Sequence, residues 1–92
     1  KGFNKMRAII TVVGEDKVGI IAAVSGLLAE KRVNILDISQ TIMQDMFTMI
    51  MLVDTGACAC SELSEQLNGI GEKMGLDIRL QHEDIFKSMH RI

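Results

Sequence analysis

Four short stretches of the sequence carry the hydrophobic pattern of β-strands. The first, residues 7–13, is rich in β-branched side chains and is predicted to stop at Gly14. Asn34–Met43 and Met46–Asp54 are separated by two polar residues, which predicts a hairpin between the second and third strands. Residues 76–81 alternate apolar and polar side chains and form the fourth predicted strand, half-exposed on one face.

Two further stretches repeat apolar residues at the spacing of an α-helix. The first helix is predicted to begin at Ile20 and to end near Lys31 and Arg32. The second is predicted to be capped by Ser61 and ended by Gly75. The apolar positions are Ile20, Val24, Leu27 and Leu28 in the first helix and Leu63, Leu67, Ile70 and Met74 in the second.

The predicted order of elements is βαββαβ, which is an α+β pattern. Because crossover connections are right-handed, this order predicts a ferredoxin-like sandwich, a four-stranded antiparallel sheet with two helices on one face. A short C-terminal helix is predicted to follow Asp84. Its apolar residues are Ile85, Phe86, Met89 and Ile92. We expect a single domain over residues 7–92, preceded by a leader or disordered N-terminus at residues 1–6.

The other face of the predicted sheet is also partly apolar. In the second strand Leu36, Ile38 and Ile42 share one parity, and the first and third strands have apolar side chains on both parities. A large apolar surface in water is unusual for a monomer, so we expect a partner surface to cover this face and the protein to form a homo-oligomer. The alternative is a monomer in which the C-terminal helix folds back over the face.

Composition narrows the classes of function. The 92 residues carry a net charge of −2 and contain no Trp, no Tyr and three Phe, so they lack the positive field and stacking surfaces of nucleic-acid-binding proteins. No apolar run approaches the roughly 20 residues of a membrane helix, and the first residues lack the apolar stretch of a signal peptide. We therefore expect a cytoplasmic protein that contacts neither nucleic acid nor membrane directly.

The most informative segment joins the first strand to the first helix through Gly14 and Gly19. A helix start leaves backbone N–H groups unpaired, and these groups attract anions such as a carboxylate. The candidate donors are the N–H groups of Val18, Gly19, Ile20 and Ile21. The Asp16 side chain could bind an ammonium group, and a second subunit could bring Asn34 close. The alternative is ordinary helix capping by Asp16 and a turn role for Asn34.

Two cysteines and two histidines are candidates for zinc binding or thiol catalysis. Cys58 and Cys60, with His82 and His90, could in principle bind zinc, but one residue between the cysteines does not match the usual spacing of structural sites. A catalytic thiol would need a histidine and an orienting group nearby, and a predicted helix start at Cys60 is by itself a weak basis for enzyme chemistry. We therefore expect neither a metal site nor catalysis.

At the residues around Gly19 the chain resembles ACT domains, which are small regulatory modules that bind amino acids and related effectors. The family pattern is Asn or Asp, a basic residue, Pro or a small apolar residue, Gly and an aliphatic helix, followed later by Val-Asn-Ile. Here it reads Asp16-Lys17-Val18-Gly19-Ile20 and Val33-Asn34-Ile35, and Val18 replaces the frequent Pro. The resemblance spans residues 7–81 and includes the element order.

The chain is similar, more closely, to small stand-alone ACT proteins of uncharacterised function and to the ACT halves of glycine-cleavage transcriptional regulators. The segments that carry this similarity are Asp37-Ile38-Ser39-Gln40, Phe47-Thr48-Met49 and Ile85-Phe86-Lys87-Ser88-Met89. In the family the ligand commonly lies between subunits. The resemblance therefore implies binding positions at Asp16, Lys17, Val18, Gly19, Ile20 and Asn34.

These observations predict a regulatory domain rather than an enzyme, with no cofactor. It is expected to bind an amino acid or similar small effector between subunits and to pass its occupancy to a regulatory protein partner, in amino-acid metabolism or its transcriptional control. Other users of the fold need features that this chain lacks, namely an arginine or a Cys-x-x-Cys in the first loop, or exposed aromatic residues on the sheet. The alternative is a ligand-independent protein-interaction or oligomerisation module.

Overall fold

The computed structural model describes residues 7–15 and 19–83, and their secondary structure follows the predicted order. The strands are β1 (Arg7–Glu15), β2 (Asn34–Met43), β3 (Met46–Asp54) and β4 (Asp77–His82). The helices are α1 (Ile20–Glu30) and α2 (Cys60–Met74). This is the ferredoxin-like βαββαβ sandwich that the sequence predicts. The predicted C-terminal helix lies outside the described residues.

The four strands form one antiparallel sheet in the order β2-β3-β1-β4. β1 and β3 occupy the centre and pair continuously from Arg7 opposite Asp54 to Glu15 opposite Met46. α2 packs against β4, and α1 contacts both α2 and β2. The two edges of the sheet are therefore β4, next to α2, and β2, on the side of α1.

The core lies between the sheet and the two helices. Alternate residues of the central strands are buried there, as expected for strands with one face against a core. These residues are Ala8, Ile10 and Val12 in β1 and Phe47, Met49, Met51 and Val53 in β3. Val24 and Leu28 of α1 and Leu63 and Leu67 of α2 are buried against them. Each of these side chains other than Ala8 contributes about 1.5–3 kcal/mol when it is fully buried.

β1 extends two residues beyond its predicted end. The sequence predicts that the strand stops at Gly14, but Gly14 and Glu15 continue the ladder opposite Phe47 and Met46. A Cβ atom at position 14 would collide with Cδ2 of Leu76. The glycine therefore does not break the strand. It leaves room for the segment between α2 and β4 to close over the end of the sheet.

β2 is an edge strand, and all ten of its residues are exposed. Its pairing register with β3 shifts between Ile35 and Asp37, where Leu36 is the additional residue of a β-bulge. Simple alternation predicts that Ile35 lies on the face opposite Ile38 and Ile42. Because of the bulge, all three isoleucines are paired with buried residues of β3 and share the helix side of the sheet.

α1 ends near Lys31 and Arg32, as predicted, in a backbone motif that favours glycine. The N–H of Val33 donates to the C=O of Leu28 at 2.8 Å, and the N–H of Arg32 donates to the C=O of Ala29 at 3.1 Å. These two bonds define a Schellman motif. Arg32 has a φ of 59°, in the left-handed region. That conformation costs an L-residue with a side chain about 1–2 kcal/mol.

α2 begins before its predicted cap. The N-cap is Ala59 and the first helical residue is Cys60, so the prediction that Ser61 caps the helix is wrong. Ala59 offers no side-chain hydrogen bond, and the local sequence therefore gave no capping signal at that position. The predicted end is correct, since Gly75 follows with a φ of 71°. Neither described helix is long and apolar enough to cross a membrane.

The sheet face away from the helices has an apolar centre and polar edges. The register assigns Ile9, Val13, Ile50 and Leu52 of the central strands to this face. Asp37 and Ser39 of β2 and Asp77, Arg79 and Gln81 of β4 lie around them. Apolar side chains are thus present on both faces of β1 and β3, as expected. That a partner covers this face stays a prediction. The C-terminal helix, which would cover the face in the monomeric alternative, lies outside the described residues.

Two glycines of α2 are expected to respond oppositely to alanine. A Cβ at Gly71 would lie 2.8 Å from the C=O oxygen of Leu76, whereas a Cβ at Gly69 meets no atom within 4 Å. Gly71→Ala should lower the free energy of unfolding by about 1–3 kcal/mol through overpacking. Gly69→Ala should raise it by about 0.5–1 kcal/mol through helix propensity. Urea unfolding followed by circular dichroism measures both, and effects of the same sign would contradict the packing described.

The left-handed conformation of Arg32 gives a second stability prediction. Arg32→Gly removes the Cβ that the conformation disfavours, although glycine loses more entropy on folding. We expect a rise of up to about 1 kcal/mol in the free energy of unfolding. Arg32→Ala is the matched control, because it removes the guanidinium and keeps the Cβ. If glycine stabilised the protein no more than alanine did, the backbone cost assigned to Arg32 would be wrong.

Candidate functional site

The start of α1 is the candidate anion-binding segment. Gly19 is the N-cap, with φ 90° and ψ 1°, and its C=O accepts a hydrogen bond from the N–H of Ala23 at 2.9 Å. The N–H groups of Ile20, Ile21 and Ala22 precede that first helical bond and have no partner within the helix. Together with the positive end of the helix dipole, they favour a negatively charged group.

The predicted binding residues of this segment fall into two groups. Asp16, Lys17 and Val18 lie outside the described residues, so their roles stay predictions. Gly19 is exposed at the helix start. Ile20 is only 3% exposed, and its side chain packs in the hydrophobic core. Ligand contact at Ile20 is therefore left to its backbone N–H, while its side chain fixes the first turn of α1 on the sheet.

Asn34 lies at the opposite end of the sheet from Gly19. It is the exposed first residue of β2 and is opposite Asp54, the last residue of β3. Gly19 follows the end of β1, where Glu15 is opposite Met46, the first residue of β3. One chain does not bring these two predicted binding positions together. That a second subunit brings Asn34 close to the start of α1 stays a prediction.

An open cleft of about 680 Å³ lies at the end of the sheet from which α1 starts. It is lined by residues 13–15, Met46 and residues 75–77. The carboxylates of Glu15 and Asp77 would attract an ammonium group there. The sequence pattern does not predict this cleft. The walls of the cleft come from the end of β1 and from the segment after α2, which are distant along the chain.

Charged residues surround the other end of the sheet, where β2 starts. The Nζ of Lys31 donates to Oε2 of Glu62 at 3.0 Å, and this hydrogen bond and the charge of Glu62 raise the pKa of Lys31. Arg7 and Glu83 form an ion pair at 3.2 Å. Arg32 is exposed and has no ion pair with any residue in the described ranges. The sequence pattern predicts only that Arg32 lies at the end of a helix.

The two cysteines lie near the start of α2. Both are free and half-buried, and the Cys58 thiol donates to the C=O of Ala59 at 3.7 Å. His82 is exposed at the end of β4, and His90 lies outside the described residues. Within residues 7–15 and 19–83, no three His, Cys, Asp or Glu side chains are grouped as a metal site requires. The expectation that these residues form neither a metal site nor a catalytic thiol stays a prediction.

The fold and the site together define a small α+β domain of the ferredoxin-like class, with a glycine at the start of α1 and an asparagine at the start of β2. A sequence model of the ACT domain family matches residues 7–81. The chain therefore belongs to the ACT domain family, as the resemblance implied.

Individual relatives agree with this assignment. The chain is 56% identical over 89 residues to the UPF0237 protein of Clostridium acetobutylicum, covering 95% of this chain and 100% of that one. The ACT domain protein from Streptococcus pneumoniae has a TM-score of 0.79 at 42% identity, covering 91% of this chain and 97% of that one. A candidate glycine cleavage system transcriptional repressor has a TM-score of 0.74 at 26% identity, covering 85% of this chain and 46% of that one. These matches confirm the similarity to stand-alone ACT proteins and glycine-cleavage regulators.

Proposed function

We propose that this ACT domain binds an amino acid, or a similar small effector, between two copies of the chain and passes its occupancy to a partner protein. The observation that carries the proposal is the exposed edge of β2. If this edge pairs with the same edge of a second copy, the separated halves of the candidate site meet.

The edge of β2 has the properties of a pairing surface. Unpaired backbone groups at a sheet edge attract other strands, and natural proteins often protect such edges with lysine or proline. Asn34–Met43 contains neither, and Asp37 is its one charged residue. Ile35, Ile38 and Ile42 are 38%, 40% and 61% exposed on the helix side. Pairing with a second copy would satisfy the backbone groups and bury these isoleucines.

Antiparallel pairing about a two-fold axis reverses one β2 relative to the other. Asn34 of one copy then approaches Met43 of its partner. Met43 is opposite Met46, and Met46 is opposite Glu15, so this is the end of the sheet from which α1 starts. α1 also lies on the β2 side of the sheet. Asn34 of the second copy therefore approaches Gly19 of the first.

The combined site matches the two ends of an amino acid. The effector's carboxylate would accept hydrogen bonds from the first N–H groups of α1, including those of Gly19 and Ile20. The carboxylate of Asp16 would bind the ammonium group, flanked by Lys17 and Val18. The amide of Asn34 from the second copy both donates and accepts hydrogen bonds. Each copy supplies one half of each of two equivalent sites.

The proposed role is regulatory and non-catalytic, without a cofactor. An effector that binds the paired state more tightly shifts the equilibrium toward it by its differential affinity, typically about 1–3 kcal/mol. We expect a regulatory protein in the cytoplasm to respond to this shift. The similarity to a candidate glycine cleavage system transcriptional repressor supports a role in amino-acid metabolism or its transcriptional control.

A ligand-independent interaction module is the second candidate function. Five of the eight exposed large hydrophobic residues in the described ranges lie on β2. These are Ile35, Leu36, Ile38, Ile42 and Met43. An exposed strand of this kind can bind a partner's extended segment directly as an added strand. In that case amino acids would leave the stability and the assembly of the protein unchanged.

A thermal-shift screen against the twenty amino acids and common nucleotides tests the effector proposal. An effector at about 100 times its Kd should add about 2.7 kcal/mol of apparent stability, which raises Tm. Calorimetry should then show weaker binding for Asp16→Ala, Gly19→Val and Asn34→Ala. Asn68→Ala, exposed on α2, is the control and should bind normally. A flat screen would favour the interaction module, and unchanged affinity in all three site variants would refute the site.

Two isoleucines of similar exposure identify the surface through which copies associate. Ile38 on β2 is 40% exposed, and Ile50 on the uncovered face is 38% exposed. Ile38→Lys introduces a charge beside the paired edge and should shift the oligomer toward monomer in sedimentation experiments. Ile50→Lys should leave the pairing of the two β2 edges intact. The reverse result would assign the interface to the open face of the sheet and remove the basis for uniting Asn34 with Gly19.

A further inference from the structure

Arg32 follows the C-cap of α1 and lies two residues before Asn34. Its backbone and its charge have properties that the end of a helix does not require. We propose that Arg32 of the second copy binds the effector's carboxylate at the site between the two copies. This inference rests on the proposed function. It adds a binding residue to that site and restricts the effector to molecules that carry a carboxylate.

The backbone of Arg32 adopts a conformation that favours glycine. Its φ is 59°, and it occupies the position of the Schellman motif that follows the helix cap, where glycine is the usual residue. Glycine adopts this conformation without crowding a Cβ against the backbone. The motif would therefore form at least as well without an arginine side chain. We attribute the presence of the side chain to a role outside the helix end.

The charge of Arg32 has no ion-pair partner among the described residues. Neighbouring cations at this end of the sheet are neutralised within the chain, Lys31 by Glu62 at 3.0 Å and Arg7 by Glu83 at 3.2 Å. Arg32 is exposed, and no described carboxylate lies within 4.0 Å of its guanidinium. Its hydrogen-bond donors are thus available for a group that another molecule supplies.

Pairing of the two β2 edges would also bring Arg32 of the second copy to the candidate site. The movement that brings Asn34 of the second copy to the start of α1 brings Arg32 with it. The carboxylates of Glu15, Asp45 and Asp77 lie at that end of the sheet and would repel a carboxylate effector. A guanidinium group offsets this repulsion and can bind both oxygens of a carboxylate through its planar fork.

Calorimetry on four forms of the full chain tests the proposal: the unaltered chain, Arg32→Gln, Arg32→Lys and Lys73→Gln. The probes are the twenty amino acids and their α-carboxamides, which lack the carboxylate charge. Arg32→Gln should weaken binding of the preferred amino acid by about 10- to 100-fold and leave binding of its amide unchanged. Arg32→Lys should retain part of the preference for the acid, since it keeps the charge without the fork.

Lys73→Gln is the matched control, since it removes an exposed charge from α2, which packs against β4 rather than β2. It should bind the amino acid as the unaltered chain does. If Arg32→Gln also retained full affinity for the amino acid, the assignment of Arg32 would be overturned while effector binding stood. Equal losses for the acid and the amide would overturn it too, because they indicate a structural role. If the unaltered chain bound no amino acid, both proposals would fail.

Discussion

The antiparallel pairing of β1 with β3 determines where every other element of the domain lies. Its register turns Ile10 and Val12 toward the helices together with Met49 and Met51, and a slip of one residue in either strand would turn that strand's own core residues to the opposite face. β4 adds to the free side of β1, and β2 adds to the free side of β3. The same pairing that forms the core therefore leaves β2 as an open edge, with its backbone groups available to another strand.

Local sequence patterns were sufficient to predict the element order and the bounds of β2 and β3. Alternation and a polar turn are properties of neighbouring residues, and nothing distant altered them. The errors arose where distant residues or unusual caps decide the structure. β1 continues through Gly14 and Glu15 because both pair with β3, far along the chain, opposite Phe47 and Met46. α2 starts after Ala59, which offers no side-chain cap to recognise.

The sequence pattern predicts which residues belong to the candidate site, but it does not predict how they are arranged in space. Sequence pattern identified Gly19 at a helix start and Asn34 at a strand start, and both occupy those positions. Their separation across the length of the sheet follows from strand order. The left-handed backbone of Arg32 and the bulge at Leu36 depend on hydrogen bonds that no periodicity encodes. These features became visible only with the backbone in place.

In the proposed assembly, binding and association are one equilibrium. Each chain alone holds the start of α1 at one end of the sheet and Asn34 at the other, so neither end is a complete site. An effector that contacts both copies must favour pairing by as much as pairing favours the effector, since the coupling is reciprocal. Arg32 would contribute to both effector binding and pairing. Its backbone conformation lowers the stability of the single chain, and its side chain has no described partner there. A residue that is unfavourable in one chain and useful between two is expected where function depends on assembly.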